Sequence, residues 1–190
     1  MYNSYGMNPY QYQYQNPYYV NLPVYNYTRQ PNYWAGDAIL GNFQSPNGRN
    51  KINIKDYGSK PFVVNINEAT KQNNTYRTVL WTGNHLQVTL MSLKVGEDIG
   101  IEIHPDVDQF LRIEQGQGIV QMGMTKDNLN FVRKVYDDSA IMIPAGTWHN
   151  VTNTGNIPLK LYSIYAPPHH PFGTVHMTKA DALTAEREWG

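Results

Sequence analysis

From Tyr76 to Tyr165 the chain runs in short apolar stretches with polar residues at every second position, broken by Gly, Asn, Asp and Pro. A period of two sends successive side chains to opposite faces of a strand. The pattern predicts strands near 76–82, 85–94, 99–104, 109–114, 118–123, 129–136, 139–143, 149–153 and 157–165. Leu86-Gln87-Val88-Thr89-Leu90 alternates cleanly, whereas Leu159-Lys160-Leu161-Tyr162-Ser163-Ile164-Tyr165 is partly apolar on both faces. In 99–104 the isoleucines alternate with Gly100, Glu102 and His104, so Glu102 and His104 share a face. Pro105-Asp106-Val107-Asp108 is turn chemistry. The returning strand Gln109–Glu114 can bring Gln109 beside His104, and it places Arg112 and Glu114 on the opposite, outer face. Many short, regularly spaced strands predict an all-β sandwich or barrel.

The flanks read differently. Phe62-Val63-Val64-Asn65-Ile66 predicts the first ordered strand, and Asn67-Glu68-Ala69-Thr70 a short helical turn. Asp127-Asn128 and Thr154-Gly155-Asn156 are turns, with a hairpin tip over 126–130. After Tyr165, Ala166-Pro167-Pro168-His169-His170-Pro171-Phe172-Gly173 is an irregular, stiff loop. Thr178 to Glu188 predicts a terminal helix, with Thr178 and Asp181 spaced as a capping box. The resulting division is an arm over 1–34, a lead-in over 35–60 with a small apolar patch at Ala38-Ile39-Leu40, a barrel over 61–177 and a C-terminal helix over 178–190.

Composition sets the arm apart. Of the 15 tyrosines, ten lie in residues 1–33, among Asn, Gln and Pro, and Arg29 is the only charged side chain there. Three aliphatics, Val20, Leu22 and Val24, cannot offset the entropy of ordering this segment, so it reads as a disordered, polar-aromatic arm. Self-assembly through residues 1–33, by tyrosine stacking or amide ladders, is one use for it. Across the chain 15 basic residues balance 15 acidic ones. No global field draws nucleic acid or an anionic membrane surface. With no cysteine, disulfides, thiolate metal sites and a Cys nucleophile are excluded. The sequence predicts no membrane insertion and no secretory signal.

The candidate chemistry lies in two stretches. The first reads Gly96-x5-Glu102-x-His104-x4-Gln109-x6-Gly116. The second reads Pro144-x-Gly146-x2-His149-x3-Asn153, with Asp138 six residues ahead of Pro144. In spacing this resembles the paired motifs of cupins, G-x5-H-x-H-x4-E-x6-G and G-x5-P-x-G-x2-H-x3-N. The run from Lys160 to Ala182 resembles the tail of small single-domain bacterial cupins of the mannose-6-phosphate isomerase-like group. The resemblance implies a single cupin barrel, that is, a double-stranded β-helix or jelly roll. It also implies one metal ion held inside at Glu102, His104, Gln109 and His149. Two positions depart from the motif: Glu102 replaces the first His, and Gln109 replaces the Glu. The set still holds two imidazoles and one carboxylate, which suits divalent Mn, Fe, Ni or Zn. The neutral amide is a weaker donor, so affinity should be lower than with three His and one Glu.

Two other arrangements use the same residues. One is a metal-free pocket that hydrogen-bonds a ligand; there the pKa of a buried Glu102 should rise, making it a catalytic general acid or base. The other is a polar core with no site. Trp81 and Trp148 read as core or pocket wall. His85, Arg112, Glu114 and Tyr162 read as packing or surface, and His169, His170 and His176 as a solvent-exposed His-Pro loop. The functional expectation is a metal-dependent protein acting on or binding a small polar, sugar-like molecule. The alternative is a non-catalytic structural protein of a spore coat or surface layer that uses the arm. The compartment is then cytoplasmic or spore-coat associated. The resemblance also implies a homodimer.

Overall fold

The structure, a computed structural model, describes residues 51–189. The arm and the Ala38-Ile39-Leu40 patch lie outside the described residues. The elements are α1 (Ile66–Gln72), β1 (Arg77–Thr82), β2 (Gln87–Leu93), β3 (Asp108–Gln115), β4 (Gln117–Gly123), β5 (Phe131–Tyr136), β6 (Ala140–Ile143), β7 (Trp148–Asn153), β8 (Leu159–Ala166), β9 (Val175–His176) and α2 (Lys179–Trp189). They build two antiparallel sheets, one ordered β6-β3-β8-β2-β1-β9 and one ordered β5-β4-β7. The expected all-β jelly roll with a short C-terminal helix is the observed fold.

Strand alternation decides what the sheets enclose. On β3, Gln109, Leu111 and Ile113 are buried, while Phe110 and Arg112 are only partly covered. Met91, Leu93, Leu111, Ile113, Ile141, Leu159 and Leu161 of the large sheet pack against Val120, Val135 and Val151 of the small one. The interior is not uniform. One rung is polar or aromatic, with Gln109 opposite Tyr165 and Tyr165 opposite Gln87. Two residues further along, Leu111, Ser163 and Thr89 align, and beyond them Ile113, Leu161 and Met91. The barrel is therefore closed by hydrocarbon at one end and polar at the other.

Two predicted strands are corrected. Residues 62–66 form no ladder, and Ile66 already begins α1. The alternation there is real: Phe62, Val64 and Ile66 are partly buried, and Val63 is 86% exposed. It serves to pack the segment onto the outer face of the large sheet, beside Leu80 and Leu90. That covering also explains why β8 is apolar on both faces. Residues 99–104 are not a strand either, keeping only isolated bridges at Asp98 and Glu102. Gly100 takes φ 88° and breaks the alternation. Ile99 is consequently buried at 5% exposure, while Ile101 is 45% exposed. At the other end, the Thr178 hydroxyl and Asp181 carboxylate cap α2 reciprocally, as their spacing predicts.

Candidate functional site

The segment after Gly100 is held by β7 rather than by a ladder of its own. The Glu102 N–H donates to the His149 carbonyl at 3.0 Å, and the His149 N–H returns the bond at 3.0 Å. The two motif stretches are also tied by backbone. The Gly146 N–H donates to the His104 carbonyl at 2.8 Å, and the Asp108 carboxylate accepts from the Ala145 N–H at 2.9 Å. Gly146 makes that approach with φ 75°. Asn153 acts structurally: its side chain donates to the carbonyls of Leu93, Lys94 and Ile157 and accepts from the Gly155 N–H. The motif spacing thus encodes a clamp between two chain segments as well as a set of polar side chains.

Glu102, His104 and His149 converge. Glu102 Oε1 lies 3.3 Å from His149 Nε2 and 3.5 Å from His104 Nε2. The three ligand atoms all fall within 4.8 Å of one another. His149 is fully buried, His104 is 6% exposed, and the Glu102 side chain is 20% exposed. The His149 Nδ1 sits 2.9 Å from the Thr147 carbonyl, so Nδ1 carries the proton and Nε2 presents a lone pair. Both Nε2 atoms are buried without a hydrogen-bond partner, since the contacts to Glu102 are too long and poorly aligned to serve as one. Atoms about 2.1 Å from a shared ion are spaced roughly 3.0 Å apart at octahedral angles and roughly 3.4 Å at tetrahedral angles. The two carboxylate–imidazole separations, 3.3 and 3.5 Å, lie close to the tetrahedral value, and with both Nε2 atoms buried and unpartnered these residues fit a metal ion.

Gln109 occupies the polar rung on β3. Its Nε2 donates to Ser163 Oγ at 3.0 Å, which leaves Oε1 buried and without a partner. It is brought to the same interior as His104 through Tyr165, whose ring lies 5.6 Å from the His104 ring. The electrostatics of Glu102 differ from the metal-free expectation. Burial alone would push its carboxyl up, but His104, His149 and the Arg77 guanidinium outweigh it and hold the group well below the usual carboxylate range. The predicted rise is therefore corrected to a fall.

The post-β8 loop also departs from expectation. His169 keeps solvent contact on its outer side, yet its ring lies 4.2 Å from that of His104 and stacks on Tyr165 at 5.5 Å. Burial of the inner side and the neighbouring His104 push it down to about 4. His170 is half-buried, 5.0 Å from the Tyr165 ring, and burial with Arg77 beyond pushes it down to about 2. The fully buried Gln87 side chain pins this loop. Its amide donates to the His170 carbonyl at 2.8 Å, and its oxygen accepts from the His170 N–H at 2.9 Å. His169 thus lies against the cluster and His170 against Tyr165, where the sequence predicts a solvent-exposed loop.

Sequence reasoning passed over Arg77, Gln87, Ser163 and Tyr165. The available signal was the inward parity of their strand positions. Arg112 and Glu114 are outside the barrel, as predicted, but Glu114 is fully buried, paired with Arg112 at 2.6 Å and with Asn67 of α1. Trp81 donates to the Lys60 carbonyl at 2.8 Å, and Lys126 lies over the Trp148 ring at 5.8 Å, so neither tryptophan is deep core. His85 is exposed.

Comparison with known proteins agrees with this architecture. Residues 89–165 match the family described as Cupin domain. Protein YrkC of Bacillus subtilis (strain 168), itself uncharacterized, is 66% identical over 179 residues, covering 89% of this chain and 94% of that protein. The uncharacterized protein L612 of Acanthamoeba polyphaga mimivirus is 46% identical over 119 residues, 62% of this chain and 72% of that one. The crystal structure of BH2720 from Bacillus halodurans shares 68% identity at a TM-score of 0.69, covering 69% of this chain and 99% of that chain. The match over residues 89–165 and the jelly-roll architecture together support a place in the cupin superfamily. Among its described residues no helix is long and apolar enough to cross a membrane.

Proposed function

We propose that the barrel holds one divalent metal ion on Glu102, His104 and His149, with the Gln109 side-chain oxygen as a fourth, neutral donor, and that it binds or acts on a small polar molecule there. The observation that carries this reading is the pair of buried, unpartnered imidazole Nε2 atoms facing one carboxylate at 3.3 and 3.5 Å. Two imidazoles and a carboxylate suit Mn, Fe, Ni or Zn. Such an ion supplies a Lewis acid that polarises a carbonyl or orients a polar substrate. The chain's own contribution is orientation and charge. Thr147 sets the His149 tautomer, Ser163 sets the Gln109 amide, and Glu102 stays ionised at neutral pH. An ionised Glu102 can ligate or accept a proton, and it has none to donate.

The likeness to the mannose-6-phosphate isomerase-like group, the homodimer and the compartment belong to the same reading as proposals. Support for the dimer is β5, an edge strand with Phe131, Val132 and Tyr136 exposed. The assembly alternative rests on residues 1–33, outside the described residues, whereas the cluster geometry favours a metal-binding barrel. Elemental analysis of the full chain, purified without added metal, tests the reading. A stoichiometric ion is expected, lost in His104→Ala. Equal background in both proteins refutes the metal centre.

A further inference from the structure

The carboxylate of the cluster faces inward because of a one-residue slip. Upstream, Asp98 lies opposite Thr152 of β7, and the Ile99 N–H donates to the Val151 carbonyl at 3.1 Å. Downstream, Glu102 lies opposite His149. Four steps along the segment therefore answer to three along β7, and one residue is extra. Gly100, at φ 88°, absorbs it, which is the geometry of a β-bulge led by a left-handed glycine. The slip reverses the facing of everything after it. Ile99 points inward at 5% exposure, and strict alternation would send Ile101 inward after it and Glu102 outward. Instead Ile101 is 45% exposed, and Glu102 faces His104 and His149.

Two groups that touch none of the cluster hold the bulge. Asp98 Oδ1 accepts from the Gly100 N–H at 2.6 Å, and the same oxygen accepts from Lys179 Nζ at 2.5 Å. Lys179 is the first residue of α2. That helix is seated beside the same segment. Ala182 is buried in the apolar cluster that contains Tyr76 and Ile99, and the Tyr76 hydroxyl donates to the Ile99 carbonyl at 3.0 Å. The Lys179–Asp98 pair is part-exposed at both ends, 27% and 32%, and such pairs add little to global stability. Its leverage is local, on the one N–H that fixes the bulge. A Cβ added at Gly100 would meet nothing within 4 Å, so the backbone angle alone demands glycine there.

We propose that Asp98 and Lys179 are positioning residues for Glu102. The C-terminal helix, through Lys179, holds the Asp98 carboxylate on the Gly100 N–H and so keeps the bulge that turns Glu102 toward His104 and His149. The inference rests on the metal reading above and adds the device that sets its carboxylate. Metal affinity is thereby coupled to α2, which contributes no ligand. Without the bulge, strict alternation gives the inward position to the apolar Ile101, and the two imidazoles lose their anion.

The test uses the full chain and its variants Asp98→Ala, Gly100→Ala, Lys179→Met and Lys179→Arg. Co(II) is titrated into each and followed by its visible absorption, with melting temperatures measured in parallel. Amide exchange at Glu102 and His149, whose backbones bond to each other, is read before metal is added and compared with exchange along β3. Asp98→Ala and Gly100→Ala should bind Co(II) about tenfold or more weaker, with an altered spectrum. Lys179→Met should weaken binding in the same direction, and Lys179→Arg should restore it. Exchange at Glu102 and His149 should quicken in the three weakened variants while exchange along β3 stays constant. Unchanged affinity and exchange in Lys179→Met removes the link to α2 and overturns the proposal. So does a loss of affinity that comes with equally faster exchange along β3, because that is general destabilisation. Should Asp98→Ala or Gly100→Ala fail to fold, the two Lys179 variants decide. If the unmodified chain binds no Co(II), the metal reading falls, and exchange at Glu102 still decides the positioning. Metal bound equally by every variant sinks this inference only.

Discussion

Asp138 stands where the second cupin motif has its first glycine, and it adopts a glycine backbone, with φ 69°. Its N–H donates to the Ile113 carbonyl at 2.9 Å, and its carboxylate pairs with Arg112. Aspartate tolerates the left-handed region better than most residues because its short polar side chain bonds locally. The motif thus preserves a backbone conformation while the residue identity changes. Asp138→Ala should cost about 1–2 kcal/mol, since Ala has neither the tolerance nor the pairing. Asp138→Gly should stay within about 0.5 kcal/mol, with relieved strain offsetting added chain entropy. Urea unfolding of the two variants measures both values, and equal destabilisation would show that the ion pair, not the backbone, matters. Glu102 makes the complementary point. Its position could be read from spacing, but its ionisation could not, because burial opposes it while His104, His149 and then Arg77 favour it, and only the folded chain decides which side wins.

At the scale of elements, the loop between β8 and β9 lies against the site through His169, whose ring is 4.2 Å from that of His104. It is held at one point by both ends of the Gln87 amide, and its two imidazoles cover His104 and Tyr165. Gln87→Ala should speed hydrogen exchange at the His169 and His170 amides at every pH. Acid should do the same through His170. Its ring is held near 2 in the closed loop, against about 6.5 when released. The released loop binds more protons in that interval, so loop closure is fully stable above about pH 6.5 and weakens as pH falls toward 2. Exchange at these amides, corrected for intrinsic rates, should rise between pH 7 and pH 4, and His170→Phe should roughly halve the rise, because His169, held near 4, contributes over the same interval. A pH-independent profile in the unmodified protein would remove His170 from this role.

For the whole molecule, the site draws on β3, β7, β8, the 96–104 segment and the post-β8 loop, and each polar group depends on neighbours distant in sequence. None of these parts comes from residues 1–33. Deleting residues 1–33 should therefore leave metal content and melting temperature unchanged, and light scattering of the two forms reads whether association depends on the arm. Loss of metal on deletion would mean that the arm contributes to the site. A dimer that survives deletion would place its interface in the barrel, and β5 is the edge to probe first.

The strand period over 76–165, the turn residues and the motif spacing determined the fold class and named Glu102, His104, Gln109 and His149, because these are local properties of the chain. The capping box of α2 and the loops at 126–130 and 154–156 were legible for the same reason. The two misread strands were not, because a period of two fits both a ladder and an extended segment packed on a sheet, and Gly100 gives no sign of its φ in advance. Tertiary structure alone decided the rest. It set which end of the barrel is polar, that Gln87 pins the histidine loop, that Glu114 is buried against α1, and that Arg77 is buried at the start of β1. Each of these depends on which strands become neighbours, and pairing over long sequence separations is a property of the folded chain rather than of any one stretch of it.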